Sequence, residues 1–374
     1  MAIQRSSAPV LASIFALLVA YASLYPFNDW RDQGLFPWAF VAAPWPRYLS
    51  GFDIWMNLAG YVPLGFLLAL ATMRADSHAS RLQGNKRRAL LLAFVLCCAL
   101  SFAMEAAQTY LPARYSALSD WLLNSVGGLC GAALAVALEA LGAIDHWSRF
   151  RARWFAADAR GALVLLALWP FALLFPAAVP LGLGQVFERL EAALANALSR
   201  TPFLEWLPVR DVELQPLVPL AELVCVGLGL LVPCLMGYAV IRSLGRRAAF
   251  FLLLVGVAFA VSGLSALLSW GPAHAWDWLT LAVQVGLGLG LVMCTLALVF
   301  PPRLCLGLLL VAVVLQLGLL NQAPASAYFA QTLQAWEQGR FVHFYGLAQW
   351  LGWVWPYCAG LYALASLAKS KTTA

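Results

Sequence analysis

A succession of ten long apolar segments constrains this chain more than any other feature of its sequence. Each has about 20 residues, the length at which an α-helix crosses the hydrocarbon core of a bilayer, and most interiors carry no charge. The segments are residues 8–26, 54–73, 89–110, 118–142, 161–182, 217–241, 248–270, 278–300, 303–320 and 344–367. Because backbone polar groups in lipid must be satisfied within a segment, we expect helices. The sequence therefore predicts an all-α, polytopic membrane protein with about ten transmembrane helices.

The composition excludes several other classes of protein. Of the 374 residues, 63% are hydrophobic and 11% are charged, whereas a soluble domain has about 25% charged residues. So few charges could not cover the surface of a soluble enzyme, and a disordered regulator would need far more of them. The net charge of +6 comes from Arg and Lys between the apolar segments, so we expect no nucleic-acid partner.

Cysteine and histidine give no sign of a metal site. The four His are scattered over four different loops, and the chain contains no Cys-x-x-Cys motif. All eight Cys lie inside apolar segments, which is typical of small core residues rather than of disulfides or metal ligands. The eight are Cys97, Cys98, Cys130, Cys225, Cys234, Cys294, Cys305 and Cys358. We expect neither a metal nor a cofactor.

The basic residues between the segments predict the orientation in the membrane. One set of loops holds 16 of the 23 Lys and Arg, and the alternate set holds 7. The positive-inside rule makes the richer set cytoplasmic, so both termini are predicted to be cytoplasmic. Arg5 and the small residues around Ala20 also fit a signal peptide, an alternative that leaves the rest of the topology unchanged.

The chain divides into two predicted bundles. Residues 1–144 hold four segments and residues 161–374 hold six, the latter with no predicted role. Between them, residues 145–160 combine Arg with aromatic residues and predict either a basic helix at the membrane interface or an ordinary basic loop. The outward loop 183–216 contains a short amphipathic stretch. The Trp-dense segment 336–358 predicts an aromatic belt or, alternatively, a stacking surface for a sugar or lipid headgroup. No internal repeat relates the two bundles.

Polar side chains inside the membrane are the best indicators of function, because a charge at a helix centre costs about 2.5–3.5 kcal/mol on insertion scales. Three helices of the first bundle each carry a polar pair, three or four residues apart and therefore on one face. The pairs are Asp53 and Asn57, Glu105 and Gln108, and Asp120 and Asn124, with Arg114 in the turn between the last two helices. With the predicted orientation, all of them lie at the outer end of the bundle.

Two interpretations of this polar end stay open. Arg114 is the nearest cation in sequence, and Glu105 and Asp120 are its natural partners, so the residues could form a buried ion network that joins the helices. Alternatively, they line a polar pocket that opens to the outer leaflet, which the sequence favours. Gly127 and Gly131, four residues apart on the fourth helix, allow a neighbouring helix to approach closely.

These residues also carry a resemblance. Residues 10–135 resemble the VanZ-like family of bacterial membrane proteins in four ordered pieces: LYPF (24–27), DIWMNLAGYVPLG (53–65), SFAMEAAQ (101–108) and DWLLNSVGGLCG (120–131). The residues that match the polar positions of the family are Glu105, Gln108, Arg114, Asp120 and Asn124. Many members carry a further acidic residue between the Arg and the Asp. This chain has YSALS there, so the resemblance supports no role that needs a third carboxylate. Residues 160–374 look like an extension.

The resemblance implies a place in the bacterial cytoplasmic membrane and an association with low-level resistance to teicoplanin, a lipid-tailed antibiotic that acts outside that membrane. We therefore expect a non-enzymatic protein of the cell envelope that binds an amphiphile, a membrane lipid or a lipid-linked envelope precursor. One alternative is an enzyme for a lipid-linked substrate, with Glu105 or Asp120 as general acid or base and Arg114 as an anion clamp. No familiar hydrolase motif supports it. The other alternative is a transporter. The sequence shows neither an inverted repeat nor a clearly broken helix pair, which argues against it.

Overall fold

A computed structural model of the chain describes residues 7–25, 27, 29–46, 51–75, 82–199, 201–206, 214–215, 217–324 and 342–369. The start of the Trp-dense segment, residues 336–341, lies outside these ranges. The α-helices within them are α1 (Ala8–Leu24), α2 (Gly51–Ala75), α3 (Leu82–Gln108), α4 (Leu118–Ala140), α5 (Ala143–Trp154), α6 (Arg160–Leu173), α7 (Phe187–Leu198), α8 (Pro219–Val240), α9 (Leu244–Trp270), α10 (Leu281–Ala297), α11 (Pro302–Leu320) and α12 (Val342–Lys369).

The predicted fold class is confirmed: this is an all-α, polytopic membrane protein. Within the described residues, each of the ten apolar segments overlaps one helix, and α5 and α7 lie outside those segments. In the part of the chain that the structure describes, six helices are long and apolar enough to cross a membrane by length and composition: α2, α3, α4, α8, α9 and α11. Three apolar helices are shorter, α1, α6 and α10. The described residues pair as β-structure only in an isolated bridge between Phe155 and Ile241.

The predicted fifth span, 161–182, is wrong at its carboxy-terminal end. Helix α6 ends at Leu173, and residues 174–186, the broken segment, continue without regular helix. Pro176 and Pro180 explain the interruption, because proline lacks the N–H that a helix interior requires. The broken segment is nevertheless buried, because it is apolar: Leu181 and Leu183 are only 3% and 5% exposed.

Side chains from neighbouring helices satisfy the backbone of the broken segment. Ser265 donates to the carbonyl of Leu174 over 2.7 Å, and Gln316 donates to the carbonyl of Leu181 over 3.2 Å. Asn321 donates to the carbonyl of Gly184 over 3.1 Å and accepts from the amides of Val186 and Phe187, each over 3.0 Å. Irregular backbone is tolerated beside lipid only when the protein satisfies it in this way.

The chain forms two compact units, residues 1–153 and 154–374. In the first unit, α2 and α4 form the closest helix pair, α3 packs against both, and α1 packs against α2 and α3. Helix α5 begins at Ala143 and ends at Trp154, so it forms most of the predicted linker 145–160. Its Trp147 is exposed and stacks on Phe150 with ring centroids 5.4 Å apart. The role of this helix at a lipid interface stays a prediction.

Glycines explain the close approach of α2 and α4. A Cβ atom on Gly127 would lie 2.2 Å from the carbonyl oxygen of Leu58, and one on Gly131 would lie 2.0 Å from that of Val62. On the α2 side, a Cβ on Gly65 would lie 1.9 Å from the carbonyl oxygen of Gly128. These distances leave no space for any side chain, so the two backbones are in direct contact, as a small-xxx-small pattern allows.

Helix α8 is the centre of the second unit. The most apolar part of α8 is 78% buried, whereas the corresponding parts of the other long apolar helices are 22–39% buried. The difference arises because α6, α9, α10 and α11 all pack against α8. The buried Arg247 of α9 completes this arrangement. Its guanidinium donates to the carbonyls of Tyr238 and Ile241 at the end of α8, and to those of Leu298 and Phe300 after α10, over 2.7–2.9 Å. These carbonyls lack partners within their own helices.

Candidate functional site

The candidate site lies at one end of the first unit, where α1 and α3 end and α2 and α4 begin. Two loops complete it: the turn 109–117 between α3 and α4, and the chain that follows α1. Arg31 donates its backbone N–H to the carbonyl of Tyr110 over 3.0 Å, and the Gln33 side chain donates to the carbonyl of Thr109 over 2.8 Å. The two loops therefore hold each other at the end of the bundle.

Arg114 contacts the end of α1, and the predicted ion pair between Arg114 and Glu105 is wrong. The Nε of Arg114 donates to the carbonyl of Tyr25 over 2.9 Å, and Nη2 donates to that of Ala22 over 3.0 Å. The last carbonyls of a helix lack intrahelical partners and form the negative end of its dipole, so a guanidinium is well suited to them. Burial lowers the pKa of Arg114, and these carbonyls compensate the guanidinium for the water it has lost. Gln108 supports the same helix end by donating to the carbonyl of Ser23 over 2.9 Å.

Glu105 lies at the amino-terminal end of α4. Its side chain is only 3% exposed, and its Oε2 accepts the backbone N–H of Ala117, the residue that precedes α4, over 2.9 Å. Glu105, on α3, thereby supplies an acceptor for the backbone N–H of the residue that precedes α4. The positive end of the α4 dipole favours a carboxylate at this position. The buried carboxyl is therefore held by backbone, rather than by the cation that the sequence suggested.

Two buried polar atoms near Glu105 are incompletely hydrogen-bonded by the described residues. The Nδ2 of Asn124 donates to Oγ of Ser101 over 3.0 Å, but its Oδ1 is unpaired although Asn124 is only 7% exposed. The hydroxyl of Tyr61 is also buried, and it approaches the Ser101 side chain without normal hydrogen-bond geometry, with Glu105 nearby. Such unsatisfied atoms are uncommon in native structures, and each one calls for an explanation.

The other two predicted carboxylates approach the same place. Asp120 lies within electrostatic range of both Glu105 and Asp53, and it accepts a hydrogen bond from Ser119 over 3.2 Å. Asn57 is half-buried one turn further along α2, without a hydrogen bond to its side chain from any described residue. We refer to Tyr61, Ser101, Glu105, Asp120 and Asn124 as the polar cluster.

An aromatic group covers one flank of this end. Phe40, in the short helix Ala39–Ala42, is 2% exposed and packs against Phe102 and Trp121, with ring centroids 5.3 and 6.3 Å away. The indole of Trp121 donates to the carbonyl of Cys98 over 3.1 Å, which fixes the start of α4 against α3. The sequence reasoning missed Phe40, because nothing in an aromatic-rich loop marks one ring for burial.

Tyr61 is the other functional candidate that the sequence reasoning missed, and a signal for it existed. Asp53, Asn57 and Tyr61 follow one another at intervals of four along α2, so they share one helical face. The structure therefore extends the predicted polar stripe of α2 by one turn, toward the buried interior. It assigns Arg114 and Gln108 to the end of α1, apart from the carboxylates of the cluster.

Among the described residues, no group of three or more His, Cys, Asp and Glu is placed to hold a metal ion. All eight Cys are free thiols. Fold and site together define a polytopic helical membrane protein with a partly unsatisfied polar cluster at one end of its first unit.

The first part of the chain is similar to one known protein family. Residues 3–139 match the VanZ/LLP1 family model. The predicted resemblance of this region is confirmed, and the rest of the chain lies beyond the match. Searches of curated proteins and of solved structures give no match.

Proposed function

We propose that the VanZ-like domain binds an amphiphile of the cell envelope, a membrane lipid or a lipid-linked precursor, through the polar cluster, and that it does so without catalysing a reaction. In this proposal the protein resides in the bacterial cytoplasmic membrane with both termini cytoplasmic. The positive-inside rule then places the polar cluster at the outer leaflet, where such ligands are exposed.

The observation that carries the proposal is the pair of unsatisfied atoms beside Glu105. Among the described residues, Asn124 Oδ1 has no partner, and the buried Tyr61 hydroxyl has only the nearby Ser101 side chain, without normal hydrogen-bond geometry; a buried unpaired group costs about 1–3 kcal/mol. A purely structural network would be expected to satisfy its own members. A ligand that supplies a donor to Oδ1 and a partner to the hydroxyl would recover this cost, so the arrangement favours binding over a structural role alone.

Two features make a ligand with a polar head and an apolar body the best fit. The cluster lies at the end of a bundle whose outward faces are apolar, with Leu91, Val95 and Leu122 among the exposed side chains. A lipid tail can pack on such faces while its head reaches the cluster. Bound teicoplanin would also meet these requirements, and a reduced susceptibility to teicoplanin is the phenotype that we infer from the family.

Lipid identification on the purified full chain tests the proposal. Mass spectrometry of co-purified lipids should find a species enriched in the wild-type protein and depleted in the Glu105→Gln and Tyr61→Phe variants. Glu205→Gln, the same change at an exposed position of the second unit, is the control and should retain the species. Cells that express the wild-type chain should tolerate more teicoplanin than cells that express Glu105→Gln at equal membrane abundance.

Two outcomes would count against the proposal. One is a Glu105→Gln variant with wild-type abundance, lipid content and teicoplanin susceptibility, which would leave the cluster with a structural role only. The other is a reporter fused after Lys371 that reads as external, because the cluster would then face the cytoplasm.

A further inference from the structure

The extension contains a small cavity that the proposed function does not use. It lies in the second unit between the broken segment, the start of α7 and α12, with a volume of about 30 Å³. Its lining includes Gln185, Arg189, Gln349 and Trp353. A space of this size admits one or two oxygen-sized groups, so only the end of a larger ligand could enter it.

The walls of this cavity are held firmly. Gly184 has a positive φ of +97°, and a Cβ atom there would lie 2.3 Å from the side chain of Leu317 and 2.7 Å from that of Pro356. Gln185 donates to the carbonyls of Leu320 and Ala323 over 3.1 and 2.9 Å. Tyr357 and Asn321 both donate to the carbonyl of Gly184. These hydrogen bonds and close contacts hold the broken segment against α11 and α12, so the cavity beside it is pre-formed.

A buried donor in this lining has no partner. Gln349 of α12 is 7% exposed, and its Nε2 has no hydrogen-bond partner. An unpaired amide N–H in an apolar surrounding is unfavourable, and an oxygen acceptor would satisfy it. The described residues of the lining include no carboxylate, so none of them would repel an anion.

Arg189 supplies positive charge to the same cavity. Its guanidinium lies over the ring of Trp353, 5.3 Å from the ring centroid, a contact that orients the planar group. Burial lowers the pKa of Arg189, while the neighbouring Glu188 acts in the opposite direction. The planar fork of a guanidinium matches the oxygens of a phosphate.

We propose that Gln349 and Arg189 form a binding site for the phosphate of a membrane amphiphile. The surroundings favour a lipid as the source of that phosphate. On α7 the apolar residues Phe187, Leu190 and Leu194 are all exposed, which is typical of a helix that lies at the headgroup level. Trp350 is half exposed and packs edge-on against Trp353, with ring centroids 5.1 Å apart, so the body of the ligand can continue along this aromatic pair.

Native mass spectrometry of the full chain in an uncharged detergent tests the site. The probes are dioctanoyl phosphatidylglycerol, dioctanoylglycerol with the same tails but no phosphate, and inorganic phosphate as competitor. The wild-type chain should bind the phospholipid saturably and the diacylglycerol much more weakly. Gln349→Leu and Arg189→Gln should each weaken phospholipid binding about tenfold, as expected for the loss of a hydrogen bond to a charged group. The exposed controls Gln322→Leu and Arg242→Gln should change it less than about twofold.

The arms of the experiment separate the remaining possibilities. Equal binding of the two diacyl probes, or variants that bind like the wild type, would overturn the proposal. Displacement of the phospholipid by inorganic phosphate at low concentration would support the site and identify a free phosphate as its occupant. If Gln349→Leu does not purify as a monodisperse protein, Gln349→Glu keeps the size of the side chain and should abolish binding by repulsion. Because the site lies in the second unit, Glu105→Gln should leave it unaffected, so the two proposals fail independently.

Discussion

Replacement of Arg114 distinguishes a helix-end contact from an ion pair. The guanidinium makes two hydrogen bonds to α1 carbonyls, to Tyr25 over 2.9 Å and to Ala22 over 3.0 Å. A hydrogen bond to a charged group contributes about 1.5–3 kcal/mol. Tyr25 and Ala22 are both half-buried, so water can replace part of the interaction. We therefore expect Arg114→Ala to lower the free energy of unfolding by about 3 kcal/mol, the lower end of the sum.

Glu105→Gln should behave differently in the same assay. The amide oxygen of glutamine can still accept the backbone N–H of Ala117, now held over 2.9 Å, and the substitution removes repulsion from Asp120. The expected change in the free energy of unfolding is within about 1 kcal/mol. Ligand binding should nevertheless weaken, because Glu105 belongs to the polar cluster that we propose as the site.

The double variant gives the decisive measurement. Arg114 and Glu105 share no hydrogen-bond partner among the described residues, so their effects should add to within about 0.5 kcal/mol. The assay is equilibrium unfolding of the purified full chain by dodecyl sulfate titration, followed by the fluorescence of its tryptophans, with Gln108→Ala as a milder reference of about 1 kcal/mol. A coupling of about 2 kcal/mol or more between Arg114→Ala and Glu105→Gln would refute the reasoning and restore the ion pair.

Three further predictions concern packing and buried backbone. Gly131→Ala should lower the free energy of unfolding by about 1–3 kcal/mol through overpacking, because its Cβ would lie 2.0 Å from a backbone oxygen of α2. Gly60→Ala, whose Cβ would have nothing within 4 Å, should not destabilise the chain, and thermal unfolding in detergent compares the two variants. Asn321→Ala should expose the broken segment to limited proteolysis, since it removes an acceptor for two amides and a donor to a buried carbonyl. Arg247→Ala should sharply reduce membrane abundance because four carbonyls lose their donor, while the exposed Arg242→Ala should not.

The sequence alone determined the membrane character and the location of the helices. Apolar segments of membrane-spanning length have essentially one way to satisfy their backbone, so all ten lead to helices. It also predicted that polar residues of three helices meet at one end, because helix direction alternates with each crossing. The glycine pattern on α4 also predicted close helix packing from the sequence, because a residue without a side chain allows another backbone to approach whichever helix supplies it.

Only the tertiary structure decided which polar groups meet. Sequence proximity suggested Arg114 as the partner of Glu105, but the end of α1 offers the guanidinium unpaired carbonyls, and the start of α4 offers the carboxylate an unpaired N–H. The sequence analysis predicted a continuous fifth helix because the segment is apolar throughout. Its interruption at Pro176 and Pro180 is stable only because side chains of α9 and α11 satisfy the freed backbone carbonyls. The unpaired atoms of Tyr61, Asn124 and Gln349 could not be foreseen at all. Whether a buried polar atom finds a partner depends on distances between helices that are far apart in sequence, and no local pattern encodes those distances.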